Sequence, residues 1–165
     1  MLDEVLNALL ELLRKTGIRA ATQYPAEEIR REDGAAVVVG IRSAKSVSAG
    51  FGGYLGLRSD PEAGDVELYG FQVELLVSLD IYATESEGAR GCVSGYSAVA
   101  AALGSLPAGL RLRTLSCGSP APDLGTGMFK CEAELTCAAH FVCSKPDDTG
   151  EFTDFALYGH VVNSI

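Results

Sequence analysis

The sequence predicts an α+β domain: a mainly antiparallel β-sheet with two packed helices and a long hairpin arm. Three observations carry this. Residues 67–83, ELYGFQVELLVSLDIYA, place Tyr69, Phe71, Val73, Leu75, Val77, Leu79 and Ile81 at every second position, the period of a strand with one buried face. Residues 2–13 space Leu2, Val5, Leu6, Leu9, Leu10 and Leu13 three and four apart, the apolar stripe of a helix. The whole chain reads α-β-β-β-α-β-β-β, the order of an antiparallel sheet with helices packed on it.

Each element follows from its residues. Lys15 and Gly17 close the first helix, a cation and a glycine being common at a helix C-terminus. IRAATQYP is extended, because a residue before proline (here Tyr24, before Pro25) is biased away from helix. AAVVVGIRSAKSV is a β-branched strand. The alternating run of residues 67–83 would extend roughly 55 Å at about 3.3 Å per residue, far beyond a typical strand. It is therefore expected to bend or to project as one arm of a long hairpin.

EGARGCVSGYSAVAAALGSLP predicts a second helix with Cys92, Tyr96, Val99, Ala100 and Leu103 on one face, ended by Gly104 and Pro107. Ser94 and Gly95 weaken its middle. LRLRTLSC is a strand, GSPAPDLGTG a loop, and Met128 to Cys143 a long strand. SKPDDTGE is a turn, and FTDFALYGHVV a last strand folded back on its predecessor. Residues 1–165 form a single domain, with mobile tips expected near 46–64 and 144–152.

Composition narrows the function. The 165 residues carry a net charge of −9, and an acidic surface repels nucleic acid and anionic lipid. Arg30, Arg31, Arg111 and Arg113 are too few for a phosphate track. There is no secretory leader pattern and no apolar run long enough for a membrane span. Neither sequence-specific nucleic-acid binding nor membrane insertion is expected. Five cysteines, an odd number without a secretion signal, read as reduced thiols.

SAGFGGYLGL, residues 48–57, holds four glycines and suggests a phosphate cradle. A dinucleotide fingerprint needs a third glycine where Leu55 stands, and a P-loop needs Gly-Lys-Ser/Thr. Neither is present. The stretch reads instead as a hairpin tip whose Phe51, Tyr54, Leu55 and Leu57 are apolar enough to be assembly contacts.

Cys131, Cys137, His140 and Cys143 fall within thirteen residues, but cysteines six apart on a strand lie about 20 Å from one another, beyond the reach of one zinc ion. They read as small buried hydrophobes, and no metal or cofactor is implied. His140 and His160 could lie on neighbouring strands, and no nucleophile elbow accompanies them, so the expectation is a protein that is not an enzyme. Glu67, Glu74 and Asp80 are assigned to the polar face of the long strand, with Glu132 and Glu134 on the other long strand. That face could line a channel.

The amphipathic opening helix, GIRAATQYPAEEI, AAVVVGI, YGFQVELLVSLDIYA, GARGCVSGYSAVAAAL, one further strand and a late hairpin stand in a distinctive order. It resembles that of the small tail-terminator (tail-completion) proteins of long-tailed phages and prophages. The resemblance implies a structural virion subunit, made in the host bacterial cytoplasm and placed as a homo-hexameric ring on the finished tail tube. Such a ring stops polymerisation of the tail tube protein and presents a surface to the head-completion protein. It also implies no catalytic residue and no cofactor, and supplies no fixed signature to carry onto positions here. The cysteine-rich late strand and the glycine-rich stretch depart from it. On this view Glu67, Glu74 and Asp80 would face a lumen through which DNA slides. The alternative is a small-molecule binding module whose glycine-rich loop closes over a ligand.

Overall fold

The computed structural model describes residues 2–24, 34–61, 64–106, 109–143 and 155–156. Helix α1 spans Leu2–Lys15 and helix α2 spans Gly88–Leu103. The strands are β1 (Arg19–Ala21), β2 (Ala36–Ser48), β3 (Tyr54–Asp60), β4 (Gly64–Ala83), β5 (Leu110–Cys117), β6 (Ala121–Asp123), β7 (Met128–Cys143) and β8 (Phe155–Ala156). They form one sheet, antiparallel except where β1 runs parallel to β2. The predicted α+β class is what the chain adopts.

Two long strands make the spine. β4 and β7 pair without interruption from Tyr69↔Cys143 to Ala83↔Phe129. Shorter strands line up along their outer edges. β2 and then β3 run along β4, while β6, β5 and β8 take successive stretches of β7. Of the expected last strand, Phe155 and Ala156 pair antiparallel to β7; its other residues, His160, the tip at 144–152, Pro25, Arg30, Arg31 and Pro107 lie outside the described residues.

Helix α1 buries Val5, Leu9, Leu10 and Leu13, with Leu2 and Leu6 packed alongside, on the face that the spacing predicts. It ends in a Schellman turn. The Ile18 amide donates to the Leu13 carbonyl and the Gly17 amide to that of Arg14, both at 3.0 Å, with Gly17 at φ 83°. That left-handed conformation suits glycine, and the turn satisfies carbonyls the helix end would otherwise orphan.

A hydrogen-bonded turn at 84–87 leads into helix α2, whose N-cap Glu87 makes no side-chain cap bond. The Thr84 amide donates to Glu87 Oε2 at 3.2 Å, and the Glu87 amide donates to Thr84 Oγ1 at 3.3 Å. Gly88, at φ 56°, then turns the chain into the helix. Its buried face is Cys92, Gly95, Val99, Ala102 and Leu103; Ala100, expected inside, is exposed, and Tyr96 is half-buried with its hydroxyl donating to the Leu115 carbonyl. Gly95 is not a weak spot. A Cβ there would lie 2.8 Å from Ile81 Cγ2 and 3.1 Å from Ala35 Cβ, so its missing side chain lets the helix settle directly on β4.

Both helices cover one face of the sheet. Val73, Leu75, Val77, Leu79, Ile81 and Ala83 of β4 meet Cys131, Ala133, Leu135, Cys137, Ala139 and Phe141 of β7 in this core. No described element covers the opposite face.

Candidate assembly surface

The glycine-rich stretch is neither a phosphate cradle nor a hairpin tip. Ser48 pairs with Phe71, and after a single 3-10 turn at Phe51–Gly53, Tyr54 pairs with Tyr69. Residues 49–53 are thus accommodated opposite Gly70 alone, as a large outward kink between two strands that continue in one direction along β4. Gly50, Gly52 and Gly53 have φ of 59°, 63° and 77°, a region L side chains rarely enter. Gly53 crosses so close to the spine that a Cβ would stand 2.9 Å from the Gly70 carbonyl oxygen. At Gly70 itself a Cβ would overlap the Phe141 carbonyl and press on Leu55.

The hairpin turns later, after Asp60, which pairs with Gly64. Most of the segment expected as a mobile tip at 46–64 is therefore ladder. β3 and the first residues of β4 (64–68) run past Cys143, the last residue of β7. Among the described residues they form a two-stranded arm.

Tyr54 is 41% exposed and Leu57 48% exposed on this arm, whereas Leu55 is half-buried over Gly70. Phe51 is placed by its backbone alone, in the 3-10 turn. Tyr54 meets Tyr69 edge-on with ring centroids 5.7 Å apart.

The predicted acidic face requires a correction. Glu74 and Asp80 lie on the uncovered side of the sheet, but Glu67 is at an odd position and shares the side of Tyr69 and Val73. The Tyr69 hydroxyl donates to Glu67 Oε2 at 2.6 Å, the i, i+2 contact of one strand face. This bond to a carboxylate, with that charge nearby, raises the Tyr69 pKa. The uncovered side is also not uniformly acidic. Lys130 Nζ sits 3.1 Å from Asp80 and 2.9 Å from Glu132, and Arg42 reaches Glu134 at 3.1 Å. Lys45 stands opposite Glu74 in the ladder. Burial alone would lower the Lys130 pKa, but its hydrogen bonds to Glu132 and Asp80 prevail and hold it above the ordinary lysine value. Lys130 likewise lowers the Glu132 pKa.

At the other end of that side, Arg111 and Arg113 are exposed on β5, the edge of the sheet, with a bulge between Leu112 and Thr114. Leu112 between them is 44% exposed. His140 feels them. Burial, then Arg111 and Arg113, lower its pKa below the ordinary 6.5. The L-R-L-R alternation of residues 110–113 is the signal of this edge in the sequence.

The cysteines are also corrected. Cys117 and Cys131 form a disulfide across the turn through β6, while Cys92, Cys137 and Cys143 are free. Burial pushes the Cys137 thiol up to about 11, and also raises that of Cys92, as expected of thiols packed as hydrophobes. Strand alternation places Cys131, Cys137 and Cys143 on one side of β7, but says nothing of Cys117. Only the folding-back of residues 118–127 brings that thiol to Cys131.

The chain matches no family model and no curated protein. Among the described residues no helix is long and apolar enough to cross a membrane.

Proposed function

We propose that this chain is a non-catalytic structural subunit of a phage or prophage tail, assembling as a ring that caps the tail tube and offers its outer surface to the head. The observation that carries this reading is the β3–β4 arm. It extends beyond Cys143, the last described residue of β7, and leaves Tyr54 and Leu57 partly exposed. An exposed apolar pair on a projecting strand pair marks an interaction surface. In a ring, the neighbouring subunit covers it. The sheet side that no described element covers, with its mixed charges, would then line or face the tube.

The test is negative-stain electron microscopy of the purified protein across a concentration series, alone and with tail tubes of its own phage. Rings with a central hole, or caps on tube ends, are expected, and subunit counting tests six. Particles that remain monomeric under both conditions overturn the reading.

A further inference from the structure

The charges of the arm and of the sheet edge are complementary but out of each other's reach within one chain. Asp65 and Glu67 are exposed on the arm, beside Leu57, the ladder partner of Glu67. Arg111 and Arg113 are exposed on β5 and flank Leu112. Among the described residues no salt bridge engages any of these four, although Asp65 accepts from the Ser59 hydroxyl at 2.7 Å and Glu67 from the Tyr69 hydroxyl at 2.6 Å. Other charges of the same surfaces are paired: Arg58 with Asp60, Arg42 with Glu134, and Lys130 with Asp80 and Glu132.

Register places the two sets apart. Arg111 is opposite Ala138, which is opposite Glu74. From Glu74 back to Glu67 the chain rises about 23 Å along β4, in addition to two strand spacings of about 4.8 Å. Screening over about 8 Å at physiological ionic strength removes any useful attraction at that range.

We infer that the partner of this arm is a second copy of the chain: Asp65, Glu67, Tyr54 and Leu57 of one copy dock on Arg111, Leu112 and Arg113 at the β5 edge of the next. The contact joins two different patches, so it is heterologous and propagates from copy to copy until it closes. On the arm Leu57 stands beside Glu67, while on β5 Leu112 projects to the sheet side opposite Arg111, so apolar contact supplies affinity and the charges set register and exclude wrong pairings. The β5 edge, bulged and guarded by two arginines, resists indiscriminate strand pairing. It admits an acidic arm. This inference rests on the ring reading and specifies its contact.

Charge exchange tests it. One variant carries Arg111→Glu and Arg113→Glu, a second carries Asp65→Arg and Glu67→Arg, and a third carries all four. The four side chains are exposed, so circular dichroism and melting temperature should match the wild type and confirm folding. Sedimentation velocity is expected to show self-association weakened more than about tenfold in each double variant. Association should return when the two double variants are mixed and in the quadruple variant. Wild-type rings that persist in both double variants, or that are lost in them without rescue by mixing or in the quadruple variant, overturn the arm-on-edge contact. Both of those results leave the ring reading standing. A wild type that stays monomeric alone and on tubes overturns both.

Discussion

β4 is one strand with two fates. From Val73 to Ala83 every odd residue is buried beneath the helices. From Gly64 to Tyr69 the same strand, paired with β3 across a bulge between Tyr54 and Gly56, leaves its odd residues half-buried or exposed. Glu67 and Val73 share a side, yet one is a surface carboxylate and the other is core. Alternation therefore marks that two sides exist, and the neighbouring layer decides which is dry. α1 and α2 cover the body and stop short of the arm.

The contrast can be probed by substitution. Leu79→Ala in the body should cost about 3 kcal/mol, because Leu79 is fully buried and large-to-small changes there leave a cavity; chemical denaturation measures this. A cost under about 1 kcal/mol would mean that the body is as loosely packed as the arm. Gly70→Ala, at the junction, should cost about 2 kcal/mol, since the new Cβ would overlap the Phe141 carbonyl of β7. The expected signature is loss of amide protection around residues 69–71 and 141–143 ahead of the rest of the ladder. Uniform protection in that variant would show that no steric boundary divides the strand.

Leu57→Ala on the arm should change the stability of the isolated chain by no more than about 0.5 kcal/mol, since Leu57 is 48% exposed. A loss comparable to that of Leu79→Ala would place the arm within the cooperative core.

The smallest effect concerns His140, between body and edge. Its folded pKa lies below 6.5 because of burial and of Arg111 and Arg113. A depressed folded value means that the unfolded chain binds the proton more readily. The associated stability is thus present above 6.5 and is lost as pH falls through the folded value. An NMR titration should place the midpoint below 6.5, and Arg111→Gln should raise it. A midpoint unmoved by Arg111→Gln would remove the guanidinium from the neighbourhood of His140.

Much of this fold was legible because it rests on local periodicity. The stripe of Leu9, Leu10 and Leu13, the stop at Gly17 and the alternation of β4 each depend on residues close in sequence. The candidate surface was less so. Tyr54 and Leu57 stood out as apolar residues among glycines, but their glycines looked like a tip. The kink against Gly70 exists only because β2 and β3 share β4 as a partner. The charge of Glu67 suggests the polar side, but its odd position already puts it with Tyr69 and Val73. Arg111 and Arg113 are legible as a pair too few to hold phosphate, and their place on a sheet edge depends on strand order.

By itself the sequence determined the α+β class, the faces of α1, the length of the spine strand and the chemistry that is present. Tertiary structure alone decided which strands share an edge, where a side becomes core, that Gly95 is a contact rather than a flaw, and that Cys117 meets Cys131. The reason is physical. Backbone geometry repeats over two to four residues and is written locally, whereas burial, cross-linking and the approach of a helix to a sheet arise from surfaces that meet only once distant segments are brought together.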